Sequence, residues 1–148
     1  MESRKKNLSP EVWGPCGWIF LHSISYSYPE DPSDSHKKQY SDFLYSLKNV
    51  LPCESCSKHY SDYISKYPPL LNSRDDFTKW MIDLHNNVNM DNKKKVLTYE
   101  EVHKKYMELY QEEKKLNPLT DDDFDEVKMC LALMVMVVIS YAIWKVVK

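Results

Sequence analysis

Leu51-Pro52-Cys53-Glu54-Ser55-Cys56-Ser57-Lys58-His59-Tyr60 is the stretch on which the reading of this chain turns. Pro52 interrupts the preceding pattern, and beyond Cys53 the residues Tyr60, Tyr63, Ile64 and Tyr67 recur at helical spacing until Pro68-Pro69 ends the run. The two cysteines therefore stand one turn apart at the start of a helix. The dipole is positive there and favours thiolate over thiol. Such a C-x-x-C pair can close into a disulfide, reopen, and so carry two electrons. Redox chemistry is the leading expectation.

The flanking sequence is helical too. One helix is expected from Pro10-Glu11 to about Tyr26, with Trp13, Cys16, Phe20 and Ile24 on one stripe and Trp18, His22 and Tyr26 on the next. A second, about Ser35 to Val50, carries Tyr40, Phe43, Leu44 and Leu47. After the cysteine helix, Ser73 reads as an N-cap with Asp76 three residues on, opening a run with Phe77, Trp80, Met81, Leu84 and Val88. Thr98-Tyr99-Glu100-Glu101 is a capping box announcing a short fifth helix through Val102, Tyr106, Leu109 and Tyr110. No run alternates long enough for a strand. The expected fold is all-α, a four-helix bundle plus that short fifth helix.

Composition narrows the functions. The 148 residues suit one domain of ordinary size, and a net charge of −2 with interspersed signs gives nucleic acid no footing. Two glycines argue against phosphate-cradling loops. Eleven tyrosines and four tryptophans suit either a helical core, the simpler use, or a stacked planar ligand. Four dispersed cysteines are too few for a secreted disulfide scaffold, and the polar stretch Met1 to Asn7 leads into no apolar segment of a signal peptide.

Met129 to Val147 is a predominantly apolar run with Lys145 as its only charge. Nineteen helical residues span about 28 Å, close to a bilayer's hydrocarbon thickness. Tyr141 and Trp144 suit an interface, and Lys145 and Lys148 can snorkel. Residues 113–128, with five acids among Asp121 to Glu126, read as a solvated linker. The expected organisation is a catalytic domain over 8–112, the linker, and one transmembrane helix over 129–147. The run is expected to act as a tail anchor that leaves the domain facing the cytosol. Cys130 would sit at the membrane boundary, where an intermolecular link or a lipid is conceivable.

Three uses of C-x-x-C compete. A thioredoxin-like site needs a preceding strand, which the pattern lacks. Structural zinc needs two further ligands, for which His59 and His85 are the candidates, in an unusual layout for tetrahedral coordination. A flavin-coupled thiol oxidase needs a helical site with aromatic walls and polar groups, and those are present.

Here the chain resembles a known family. Trp13-Gly14-Pro15-Cys16-Gly17-Trp18-Ile19-Phe20-Leu21-His22 is similar to the W-G-x-x-x-W-x-x-x-H opening of the Erv/Alr FAD-linked sulfhydryl oxidases, and Tyr28-Pro29 follows at the family's distance. Pro52-Cys53 to Cys56 and His59 resembles P-C-x-x-C-x-x-H. Phe77 to Trp80 with His85-Asn86-Asn87-Val88-Asn89 resembles F-x-x-W…H-N-x-V-N. The short chain, with Lys94-Lys95 after that block, looks most like members from large cytoplasmic DNA viruses.

The resemblance implies FAD in the bundle mouth, Cys56 nearest the isoalloxazine, and Cys53 as the outer thiol exchanging with substrate. Electrons then pass to dioxygen, giving hydrogen peroxide. It further implies Trp13, Gly14, Trp18 and His22 lining the cofactor, with His59 and Trp80 flanking it. His85, Asn86, Val88 and Asn89 come from the fourth helix, Lys94 meets the pyrophosphate or adenosine, and Tyr99 packs on the adenine. No metal is implied. The partners implied are a protein dithiol or a thioredoxin-like relay protein, dioxygen, and a second copy packed through the first helices. Two family features are missing. The C-x16-C staple falls on Ile82 and Tyr99, and no shuttle C-x-x-C is present. Cys16 reads as a buried single thiol. The competing function is a tail-anchored helical adaptor, with Cys53, Cys56, His59 and His85 holding zinc and no catalysis.

Overall fold

In the computed structural model of the protein, residues 7–116 and residue 145 are described; the expected span over 129–147, apart from residue 145, lies outside them, as does Cys130. The chain divides into two compact units, Met1–Val102 and His103–Lys148. The first holds α1 (Pro10–Tyr26), α2 (Asp34–Val50), α3 (Glu54–Lys66), α4 (Arg74–Asp91) and the opening turn of α5 (Tyr99–Leu116). Among the described residues there is no strand. In the second unit α5 continues with an i,i+4 ion pair between Lys104 and Glu108, 4.0 Å apart.

Four of the five described helices, α2 to α5, start where a side chain satisfies an orphan amide. Ser33 and His36 cap each other reciprocally ahead of α2. Ser73 Oγ accepts from Asp76 N at 3.1 Å at the head of α4. Thr98 Oγ1 accepts from Glu101 N at 3.1 Å while the Glu101 carboxylate accepts from Thr98 N at 2.8 Å, the capping box read from the sequence. One expectation is corrected. The fifth helix is not short: it has 18 residues, as many as α4, and runs to Leu116. Its Glu, Lys, Gln and Leu content favours helix, and the acidic run begins only at Asp121.

Within the first unit α1 packs on α4 and α2 on α3. Tyr28, Leu44, Ile64, Phe77, Met81 and Leu84 are buried, joined by Tyr60 and Trp80. The aromatic surplus is mainly core, and its polar ends are satisfied by backbone carbonyls. Tyr28 Oη donates to Leu71 O at 3.0 Å, Tyr60 Oη to Leu44 O at 2.9 Å and Trp80 Nε1 to Tyr67 O at 3.0 Å. The rings of Tyr40 and Phe77 stand edge-on to Tyr28, with centroids 4.6 and 5.2 Å away. Burial pushes the Tyr60 hydroxyl up, and pushes Tyr63 up to about 12, with the Asp83 charge adding to it.

On α1 the two stripes read from the spacing part company. Trp18 and His22 turn inward with Leu21 and Ser25. Cys16 is a free, exposed thiol, Phe20 is 58% exposed and Val12 81%. The reading of Cys16 as buried is therefore corrected. Spacing shows that a helix has an apolar stripe; it does not say which of two stripes the bundle covers.

Candidate active site

Cys53 is the N-cap of α3, and its sulfur accepts from Cys56 N at 3.2 Å and lies 3.3 Å from Ser55 Oγ. One-turn spacing brings the two Cα atoms to 5.2 Å, within bridging range, and the pair is closed as a disulfide. The two residues differ in exposure: Cys53 is 3% exposed and Cys56 is half-buried. Both neighbours of Cys53 are held by the N-terminal segment. Leu8 N donates to Pro52 O at 2.7 Å, and Glu54 N donates to Asn7 Oδ1 at 3.0 Å. Trp13 Nε1 reaches Leu8 O at 3.4 Å. The sequence offered no signal for Asn7 and Leu8, because they belong to no periodic element.

Where α1 meets α4, Trp18 and His85 stack with centroids 3.9 Å apart and planes within 6°. His22 Nε2 lies 3.0 Å from His85 Nδ1, so one ring carries the shared proton and the other accepts it. His22 is fully buried, Trp18 and His85 half-buried. Three residues from two motifs thus form one nitrogen-bearing cluster, in which the His22 ring is tilted by 45° to His85 and 48° to Trp18.

Beyond α4 the chain folds back. Lys93 adopts a left-handed φ of 54°, and Lys94 N donates to Asn89 O at 2.8 Å. Asn86 then clamps the returning segment at Leu97: its Nδ2 donates to Leu97 O at 2.8 Å and its Oδ1 accepts from Leu97 N at 3.1 Å. Tyr99 Oη donates to Asp83 Oδ1 at 2.8 Å, which raises the Tyr99 pKa. This bond joins α4 to the start of α5 next to the position of the missing staple. The Glu11 carboxyl is held below the usual carboxylate range by Ser9 first, and more weakly by the charge of Lys94. Asp83, Leu97, Asn7 and Leu8 are the participants that motif reading missed.

The remaining candidates fall in different places. Val88 and Asn89 are half-buried, and Lys94 is exposed. Trp13 is half-buried, and nothing lies within 4 Å of the place a Cβ would take on Gly14. Trp80 stands in the core. His59 is exposed and lines a shallow pocket with Tyr63, Lys66, Asn87 and Asp91. Cys53, Cys56, His59 and His85 do not surround a common point. Among the described residues no group of three or more His, Cys, Asp or Glu side chains is arranged to hold a metal.

The Erv1 / Alr family matches residues 15–107, the stretch that carries these motifs apart from Trp13 and Gly14 at the head of the first. The chain belongs to the Erv1 / Alr family. It is 44% identical over 97 residues to a probable FAD-linked sulfhydryl oxidase of Acanthamoeba polyphaga mimivirus, covering 64% of this chain and 68% of the relative. An FAD-linked sulfhydryl oxidase of African swine fever virus is 31% identical over 100 residues, covering 68% of this chain and 81% of the relative. The similarity to viral members expected from the motifs is therefore found. Against the mitochondrial FAD-linked sulfhydryl oxidase of Saccharomyces cerevisiae the identity is 37%, over 53% of this chain and 42% of that protein. The crystal structure of the FAD-binding domain of Erv1 from Saccharomyces cerevisiae superposes with a TM-score of 0.65 at 31% identity, covering 68% of this chain and 95% of that one. Among the described residues, the five helices without strands thus match the FAD-binding core of Erv1. The residues present fit a flavin dinucleotide: the Trp18–His85 faces suit a planar ring, Lys94 suits a phosphate, and the space at Gly14 admits a close neighbour.

Proposed function

We propose that this protein is an FAD-dependent sulfhydryl oxidase, turning protein dithiols into disulfides and dioxygen into hydrogen peroxide. The observation that carries the reading is the closed Cys53–Cys56 disulfide at the head of α3 in an Erv1 / Alr chain.

A substrate thiolate attacks Cys53 Sγ; a substrate–Cys53 bond forms, the Cys53–Cys56 bond breaks, and Cys56 leaves as a thiolate. The second substrate thiolate attacks the substrate sulfur of that mixed disulfide. Cys53 then leaves as a thiolate, into the position where it accepts from Cys56 N and faces the positive end of α3. FAD, when bound, takes up the two electrons of the reduced pair and supplies them to dioxygen. Trp18, His22 and His85 would offer the ring a stacking surface and a fixed nitrogen pair, while Asn89 and Lys94 would hold the polar arm. Asn86 keeps the returning segment, and with it Lys94, against α4.

The test is spectroscopic. The purified full chain in mild detergent should be yellow, lose its flavin band to a dithiol under argon, and recover it in air. A colourless, oxygen-inert protein would sink the oxidase and leave the helical adaptor.

Two finer readings accompany it. The exposed apolar stripe Val12, Ile19 and Phe20 on α1 supports a homodimer paired through the first helices. Sedimentation of the full chain in detergent should give a dimer that Phe20→Glu dissociates. Among the described residues no helix is long and apolar enough to cross a membrane. The apolar run 129–147 supports a C-terminal anchor with the oxidase domain on the cytosolic face. Carbonate-resistant membrane association lost on deleting the run, with the domain open to external protease, is the expected result.

A further inference from the structure

The residue that must meet the substrate is the one the fold hides. Cys53 is 3% exposed whereas Cys56 is half-buried, and the main chain on either side of Cys53 is already engaged. The Pro52 carbonyl accepts from Leu8 N at 2.7 Å and the Glu54 amide donates to Asn7 Oδ1 at 3.0 Å. An acceptor and a donor bracketing a reactive sulfur would offer main-chain bonds to an extended polypeptide. Here residues 7 and 8 fill both, and Trp13 Nε1 ties the segment to α1 at Leu8 O, 3.4 Å away.

We infer that Asn7–Leu8 is an internal cover on Cys53, occupying the main-chain docking positions of an extended dithiol polypeptide, which has to displace it before exchange begins. The inference rests on the oxidase reading, in which Cys53 receives the substrate. The Pro52 carbonyl and Glu54 amide are then the substrate's main-chain anchors, and Leu8 N and Asn7 Oδ1 compete with it for them.

Two single variants each remove one competing group without touching the cysteines. Leu8→Pro deletes the donor to Pro52 O, and Asn7→Ala deletes the acceptor for Glu54 N. The full-length FAD-loaded chain is used, with flavin content as the check on folding. Cys53 of the reduced protein is titrated with iodoacetamide and the labelled peptide quantified by mass. Turnover is measured with reduced, unfolded ribonuclease A as the polypeptide dithiol. Each variant should speed Cys53 labelling and raise kcat/KM by about fivefold, the scale of one hydrogen bond. The rise should fall in KM, because the docking positions have been vacated. Rates equal to or below wild type in both variants would overturn the cover and make the segment a support for the redox loop. A different control isolates the underlying reading: if Cys53→Ser in the unaltered background still oxidises reduced ribonuclease A, the oxidase mechanism itself fails, whatever the segment does.

Discussion

His22 Nε2 and His85 Nδ1 lie 3.0 Å apart, joining α1 to α4 beneath the stacked ring of Trp18. Neither helix alone contains this contact. His22 is fully buried, so its ring is tolerable only because neighbouring groups satisfy it. The pair therefore ties α1 to α4, and in the proposed oxidase it would fix the rings offered to the cofactor.

His85→Ala removes the stacking partner of Trp18 and the hydrogen-bond partner of His22 together. The flavin-free protein should lose about 1–3 kcal/mol in urea unfolding, and FAD should be held about tenfold more weakly. An unchanged midpoint with undiminished flavin content would show the pair to be incidental.

Asn86→Ala frees both backbone groups of Leu97 and should cost about 1–3 kcal/mol. Asn86→Asp keeps only the acceptor and should fall between wild type and alanine. Amide exchange at Leu97 should quicken in Asn86→Ala and stay slow in Asn86→Asp, which keeps the acceptor for that amide, whereas a direct role at the cofactor alone would leave it protected in both.

Cys56→Ser and Cys53→Ser should each lower oxidation of a protein dithiol by at least about 10³-fold while leaving the flavin bound, since the exchange needs both sulfurs. Oxygen uptake with reduced ribonuclease A reads this directly. Full activity in either variant contradicts the relay.

The Tyr99 hydroxyl donates to Asp83, and its pKa is raised above the ordinary 10.0 by that bond first, then by burial. A raised native pKa means stability that is fully present below pH 10 and is lost as pH climbs through the native value. Tyr99 is 45% exposed, so Tyr99→Phe should cost only about 0.5 kcal/mol at neutral pH. Urea midpoints of the two proteins should differ by a constant amount up to pH 9 and converge above pH 10. A gap that stays open through pH 11 would assign the effect to something other than the proton.

Local signals made much of this legible. Ser73 and Thr98 mark helix starts because an N-cap is a bond between residues three apart, and the two cysteines are one turn apart by spacing alone. What spacing could not say is how a helix is rotated against its neighbours. Trp13, Cys16, Phe20 and Ile24 formed as regular a stripe as Trp18, His22 and Tyr26, yet Cys16 and Phe20 face outward. Asn86 carried a motif signal for a polar role, but its partner, Leu97, lies across a turn set by the left-handed Lys93.

The amino-acid sequence by itself determined the helices, the redox pair at the head of the third, and the family, because each depends on contacts or motifs within a few residues. Only the tertiary structure decided that His22 meets His85, that Tyr99 and Asp83 bond close to the missing staple, and that Asn7 and Leu8 bond to the main chain on either side of Cys53. Those pairings join residues 16 to 63 positions apart, and hydrogen bonds at that separation exist only once the packed core has set the helices' rotation and depth.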